Sequence, residues 1–174
     1  MEAQAEAVRA WEAEGPRRDI LDFRFQTARV AIEVKTTLGN RLHHIEGFGQ
    51  ISIPPDYSEA FLASLRLNEP RSRAGRTALD ITEGIRESFR GTGVDNERFK
   101  ELLGAKLERR GKEAVDDRFR FTTPDGALEV YRSSDVPRPV AEESVSDVQW
   151  TADLTRCTAL SAVEVAGLLH KIVR

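Results

Sequence analysis

The sequence predicts an α/β (α+β) fold: strand-like runs and helical stretches alternate along it, and two adjacent runs near the N-terminus are apolar at every second position. Its 174 residues suit one compact domain over 1–174, with a core over about 1–70 and a helical and second-hairpin region over about 77–174.

Residues 2 to 13 carry Ala3, Ala7, Val8 and Trp11 at helical spacing and end at Gly15-Pro16, so a helix is expected there. Ile20 to Phe25 and Val30 to Thr37 follow as two strands joined in a hairpin. A third extended run, about Leu42 to Phe48, precedes a Pro54-Pro55-Asp56 turn, and Ala60 to Leu67 reads as a further strand. The middle turns helical. Thr77 to Phe89 carries Leu79, Ile81 and Ile85 and closes on glycines, while Asn96 to Arg110 is capped by Asp95 and stopped by Gly111. Phe119 to Thr122 and Leu128 to Tyr131 flank Pro124-Asp125-Gly126 and predict a second hairpin. A strand near Val145 to Leu154 and a helix capped by Ser161, with Val165, Leu168, Leu169 and Ile172, complete the chain.

Composition narrows the function. No apolar run approaches the roughly 20 residues of a membrane span, and Met1-Glu2-Ala3-Gln4 lacks the basic and apolar start of a secretory signal, which points to the cytoplasm. The single Cys157 forms no internal disulfide and has no partners at metal-ligand spacing, so structural zinc is not expected. A net charge of −3 argues against a protein that coats DNA, although Arg17-Arg18, Arg71, Arg73 and Arg76, and Arg109, Arg110 and Lys112 are local basic groups. Such groups are first read as solvated faces.

The hairpin carries the chemistry. Leu21, Phe23 and Phe25 share one face of the first strand, and Val30, Ile32 and Val34 share one face of the second, leaving Asp22, Glu33 and Lys35 opposite these apolar rows. A two-residue loop at Thr27-Ala28 pairs 25 with 30, 23 with 32 and 22 with 33, so that the two carboxylates face each other. Like charges directly across a ladder are destabilising. A divalent cation between Asp22 and Glu33 removes the conflict, with the Val34 carbonyl as a third oxygen and Lys35 near a metal-bound water or a phosphate. Thr-Ala is not the Gly- or Asn-bearing pair that tight turns prefer, and a longer loop would shift this register. The competing reading makes Glu33 and Lys35 an exposed alternation on an edge strand. His43 and His44 face opposite sides of a strand and cannot chelate one metal together; a surface or nucleic-acid contact is the role left to them. Asp19 is an alternative acid on the wrong face, and no Gly-rich phosphate loop occurs.

With Asp on one strand and Glu-x-Lys on the next, the chain resembles the PD-(D/E)XK nuclease-like superfamily, Asp22, Glu33 and Lys35 matching its motif. It is also similar to an uncharacterised bacterial family of PD-(D/E)XK-type proteins found near restriction and antiphage genes. The resemblance rests on Trp11 and Gly15-Pro16, Asp22-Phe23, Glu33-Val34-Lys35-Thr36-Thr37, His44-Ile45, Gln50 and Phe61-Leu62-Ala63-Ser64-Leu65. It continues through Tyr131, Val136-Pro137 and Val145 to Trp150. It implies a restriction-endonuclease-like central mixed sheet flanked by helices, with C-terminal helical and strand additions. It further implies Mg²⁺- or Mn²⁺-dependent DNA cleavage in a restriction or phage-defence setting, with catalytic Asp22, Glu33, Lys35 and Gln50 and metal ligands Asp22, Glu33 and Val34. Partner subunits of a defence system and a homo-oligomer are compatible with it. The resemblance implies an upstream helix with a Gly-Glu-Leu motif whose acid completes the metal site; the motif is not found in this sequence, so either Glu2, Glu6 or Glu12 takes its place or the chain is truncated or degenerate at this point. The alternative is a catalytically inactive nuclease-fold module that binds DNA or a partner protein.

Overall fold

The computed structural model describes residues 21–68, 76–88, 118–121, 128–140 and 148–173. The expected helices over 2–13 and 96–110, Asp19, and the basic groups apart from Arg76 lie outside them. Among the described residues the order is β1 (Phe23–Phe25), β2 (Val30–Leu38), β3 (Leu42–Ile45), β4 (Glu59–Asn68), β5 (Arg76–Thr77), α1 (Ala78–Ser88), β6 (Arg118–Phe121), β7 (Leu128–Arg132), β8 (Trp150–Asp153) and α2 (Ala162–Val173).

The central sheet is mixed. β2 lies between β1, antiparallel to it, and β4, parallel to it, while the far edge of β4 carries β7 and then β6, with β5 beyond β6. This mixed α/β architecture with few helices agrees with the restriction-endonuclease-like class expected from the sequence. None of the described helices is long and apolar enough to cross a membrane.

Alternation gives the sheet two different faces. One carries Phe25, Val30, Phe61 and Val130, and α2 buries Leu168 and Ile172 against them. Those two residues stand four apart, one above the other on the helix, and burying two such side chains stabilises by about 1.5–3 kcal/mol each. A reciprocal cap starts α2: the Glu164 amide donates to Ser161 Oγ at 3.3 Å, and the Ser161 amide returns a bond to the Glu164 carboxylate at 2.8 Å. The other face carries Leu62 and Tyr131, covered by a second, two-stranded sheet in which β3 pairs antiparallel with β8 and contributes Ile45, Ala152 and the following Leu154.

Two expectations change. The run from Leu42 is a strand only to Ile45; it pairs with β8 in the covering sheet, and Phe48–Ile51 forms a 3-10 turn. Nor do Arg118–Phe121 and Leu128–Arg132 make a hairpin with each other: both run antiparallel to β4, β6 at Leu67 and Asn68 and β7 from Leu65 back to Phe61, end to end along one edge. The Pro-Asp-Gly signal is a local one, and the edge of β4 takes both strands instead, β7 along five residues and β6 at two.

Candidate active site

The hairpin register is the one the alternation predicts, with Phe23 opposite Ile32 and Phe25 opposite Val30. Thr27 and Ala28 are the centre of a four-residue turn, Gln26 to Arg29, closed by the Arg29 amide donating to the Gln26 carbonyl at 3.1 Å. Arg29 supplies the left-handed residue that such turns need, at φ 54°. Its strain is offset by tethers to the chain entering β4. The Arg29 carbonyl accepts from the Ser58 and Glu59 amides at 2.8 and 3.3 Å, and its Nε donates to the Asp56 carbonyl at 3.1 Å.

The β1 ladder stops at Phe23, and Asp22 takes over from it. Its Oδ2 accepts from the Val34 amide at 2.9 Å, so a side chain replaces the backbone partner that a longer strand would have offered. Glu33, next in sequence, is 4% exposed and lies on the sheet face covered by β3 and β8. Lys35 Nζ stands 3.1 Å from Glu33 Oε1. The three side chains converge, but alternation does not carry to Asp22: β1 begins at Phe23, and Leu21, expected on the face of Phe23 and Phe25, packs instead with Ala31 and Ala60 on the opposite one because the chain bends at residues 21 and 22. The edge-strand alternative fails because β2 is flanked on both sides and Glu33 is buried.

Burial pushes the Glu33 carboxyl from 4.5 up to about 7; the Asp22 charge pushes the same way, and Lys35 pulls it partly back. The site therefore holds a carboxyl, that of Glu33, whose ionisation is opposed by burial and by the neighbouring Asp22 charge. That is the condition a bound cation relieves, so the donor set, two carboxylates with the neighbouring Val34 backbone, fits a hard divalent ion. Among the described residues no group of three His, Cys, Asp or Glu side chains is placed to hold a metal. Gln50 lies on the 3-10 turn, where its Oε1 accepts from the Glu46 amide at 2.9 Å; this bond steadies its own loop and does not reach the three convergent residues.

The same face carries a polar group that the sequence reading did not find. Lys35 is the register partner of Ser64 on β4, and Ser64 is the partner of Glu129 on β7. Ser64 is fully buried, and His43 comes down from β3 to place its Nε2 2.9 Å from Ser64 Oγ. His43 is 1% exposed, which excludes the surface role considered for it, whereas His44 is exposed. Burial first, then the Lys35 charge, lower the His43 pKa and keep the imidazole neutral; Glu129 opposes them weakly. Its Nδ1 is buried without a hydrogen-bond partner among the described residues, an arrangement that costs about 1–3 kcal/mol. Beyond it, Glu129 accepts from Arg41 Nε and from the Tyr131 hydroxyl, both at 3.0 Å. Burial and this bond hold the phenol at about 12. One signal was available in advance: Ser64 interrupts the apolar run of β4.

A mixed sheet that brings an aspartate at the end of one strand beside Glu-x-Lys on the next has the arrangement of PD-(D/E)XK nuclease-like proteins. Residues 1–155 match the model of the family described as "Putative PD-(D/E)XK family member" (DUF4420), and the chain belongs to that family. PD-(D/E)XK proteins are generally dependent on divalent metals. No curated protein and no solved structure matches the chain.

Proposed function

We propose that the protein is a Mg²⁺- or Mn²⁺-dependent DNA endonuclease, with Asp22 and Glu33 as metal ligands and Lys35 as the catalytic cation. The observation that carries this reading is the convergence of the three side chains, with Lys35 Nζ 3.1 Å from Glu33 and Asp22 bonded to the amide between them. A residue on an extended strand sends its N–H and C=O to the same edge, so the Val34 carbonyl leaves β2 on the Asp22 side and is the natural third oxygen.

When bound, the ion would act as a Lewis acid on the scissile phosphate and lower the pKa of an attacking water. The chain does the rest. Asp22 fixes the end of the hairpin against β2, and Glu33 supplies a second oxygen from a position that excludes bulk water. Lys35 offsets negative charge developing on the phosphate, an effect strengthened by the low local dielectric. Gln50 is a further candidate for substrate contact on the family pattern. The restriction or phage-defence setting, with partner subunits, rests on the family resemblance.

The test is supercoiled-plasmid nicking by the full chain with Mg²⁺ or Mn²⁺. Metal-dependent nicking that drops at least 100-fold in Lys35→Ala and in Asp22→Asn supports the reading. DNA binding without cleavage under any divalent metal would instead assign the chain as a nuclease-fold binding module.

A further inference from the structure

Lys35 is a flexible side chain, and a catalytic ammonium acts only when held in one place. Glu33 restrains it from its own strand, two residues away and on the same face. On the neighbouring strand the residue in register with Lys35 is Ser64, which is fully buried and hydrogen-bonded at 2.9 Å to a histidine that is itself buried. Nothing about packing demands a histidine at position 43. Its strand neighbour on the same face, Ile45, fills the equivalent place in the covering layer with an aliphatic side chain. An imidazole here has its Nδ1 stranded without a partner among the described residues, and an aliphatic residue would avoid that. Among the described residues its side chain bonds only to the serine in register with Lys35.

We propose that His43 and Ser64 are positioning residues for Lys35, forming the wall that holds its ammonium against Glu33. This requires the imidazole tautomer whose Nε2 accepts from the Ser64 hydroxyl, which leaves the serine lone pairs, and not its proton, for a group that can only donate. The neutral state of His43 serves the same end, since a second cation would repel the first. The functional weight of this wall rests on the assignment of Lys35 as the catalytic cation; its geometric content does not.

The two parts are separable in one set of variants of the full chain. Lys35 accessibility is read by its labelling rate with an amine-reactive ester, followed by mass spectrometry, with exposed Lys171 as the internal standard. His43→Leu retains apolar packing and loses the bond to Ser64, whereas His43→Gln retains a hydrogen-bonding group at the Nε2 position. The wall predicts that His43→Leu and Ser64→Ala raise Lys35 labelling at least threefold, and that His43→Gln and Ser64→Thr stay within twofold of the unsubstituted protein. A purely packing role predicts the reverse order at position 43, with leucine neutral and glutamine disruptive, and that result overturns the proposal. Unchanged Lys35 labelling in folded His43→Leu and Ser64→Ala overturns it equally. If the unsubstituted protein nicks DNA, the same two variants should lose at least tenfold in kcat with KM and metal half-saturation unchanged. Should it cleave nothing while the labelling pattern holds, the nuclease assignment falls and the wall stands.

Discussion

Glu33→Gln is expected to stabilise the metal-free protein at about pH 8 and to leave it unchanged near pH 4.5. The carboxyl is raised from 4.5 to about 7 in the folded chain, chiefly by burial and then by Asp22. Between those two values the folded state keeps a proton that the unfolded state has released, so stability falls as pH rises across this window and is level on either side. A difference of about 2.5 units at 1.36 kcal/mol each gives a loss of about 3 kcal/mol by pH 8. Glutamine is close in shape to the protonated acid and does not titrate. The variant should therefore match the parent at the acid end and exceed it by up to about 3 kcal/mol at the alkaline end. Chemical denaturation of both proteins in a chelator, at half-unit steps from pH 4.5 to 8, reads the difference, because titrating groups not coupled to Glu33 cancel. A stability difference that does not change with pH would refute the account of Glu33. Asp22→Asn should flatten the parent's slope, since it removes the second cause of the shift while an amide oxygen can still accept from Val34 N.

Three further outcomes are expected. Mg²⁺ at a hundred times its dissociation constant should add about 2.7 kcal/mol to stability at pH 8, and much less at pH 5.5, where protons compete for Glu33; thermal unfolding with and without the ion measures both. Leu168→Ala should cost about 2–5 kcal/mol by opening a cavity between α2 and the central sheet, seen as a lower denaturant midpoint. Gly39 sits at φ 73° with only Asn68 Oδ1, at 3.8 Å, near a substituted Cβ, so Gly39→Ala should lose about 1–2 kcal/mol through backbone strain alone.

What was legible in the sequence was what alternation controls. Phe23, Phe25, Val30 and Ile32 must share a buried face, and that requirement set the register and put Asp22 beside Glu33 even though the turn is longer than Thr27-Ala28. Ser161 likewise marked the start of α2, because a cap is a contact across three residues. Partners brought together by the tertiary fold left no such trace. The neighbours of Ser64 are Lys35 across a parallel pair and Glu129 across an antiparallel one, and neither register follows from any local pattern. The same limit explains β6 and β7, whose Pro-Asp-Gly spacing suggests a turn while the exposed edge of β4 decides their partner.

The parallel pairing of β2 with β4 has a kinetic consequence. Asp22 and Glu33 are joined through a short hairpin, which closes in microseconds, whereas Ser64 reaches Lys35 only after some twenty residues of intervening chain have crossed over. The repelling carboxylates are thus expected to meet early, before the remainder of the pocket exists to restrain them. A divalent ion present during refolding should then speed the first step, screening two charges that the nascent hairpin cannot otherwise keep together.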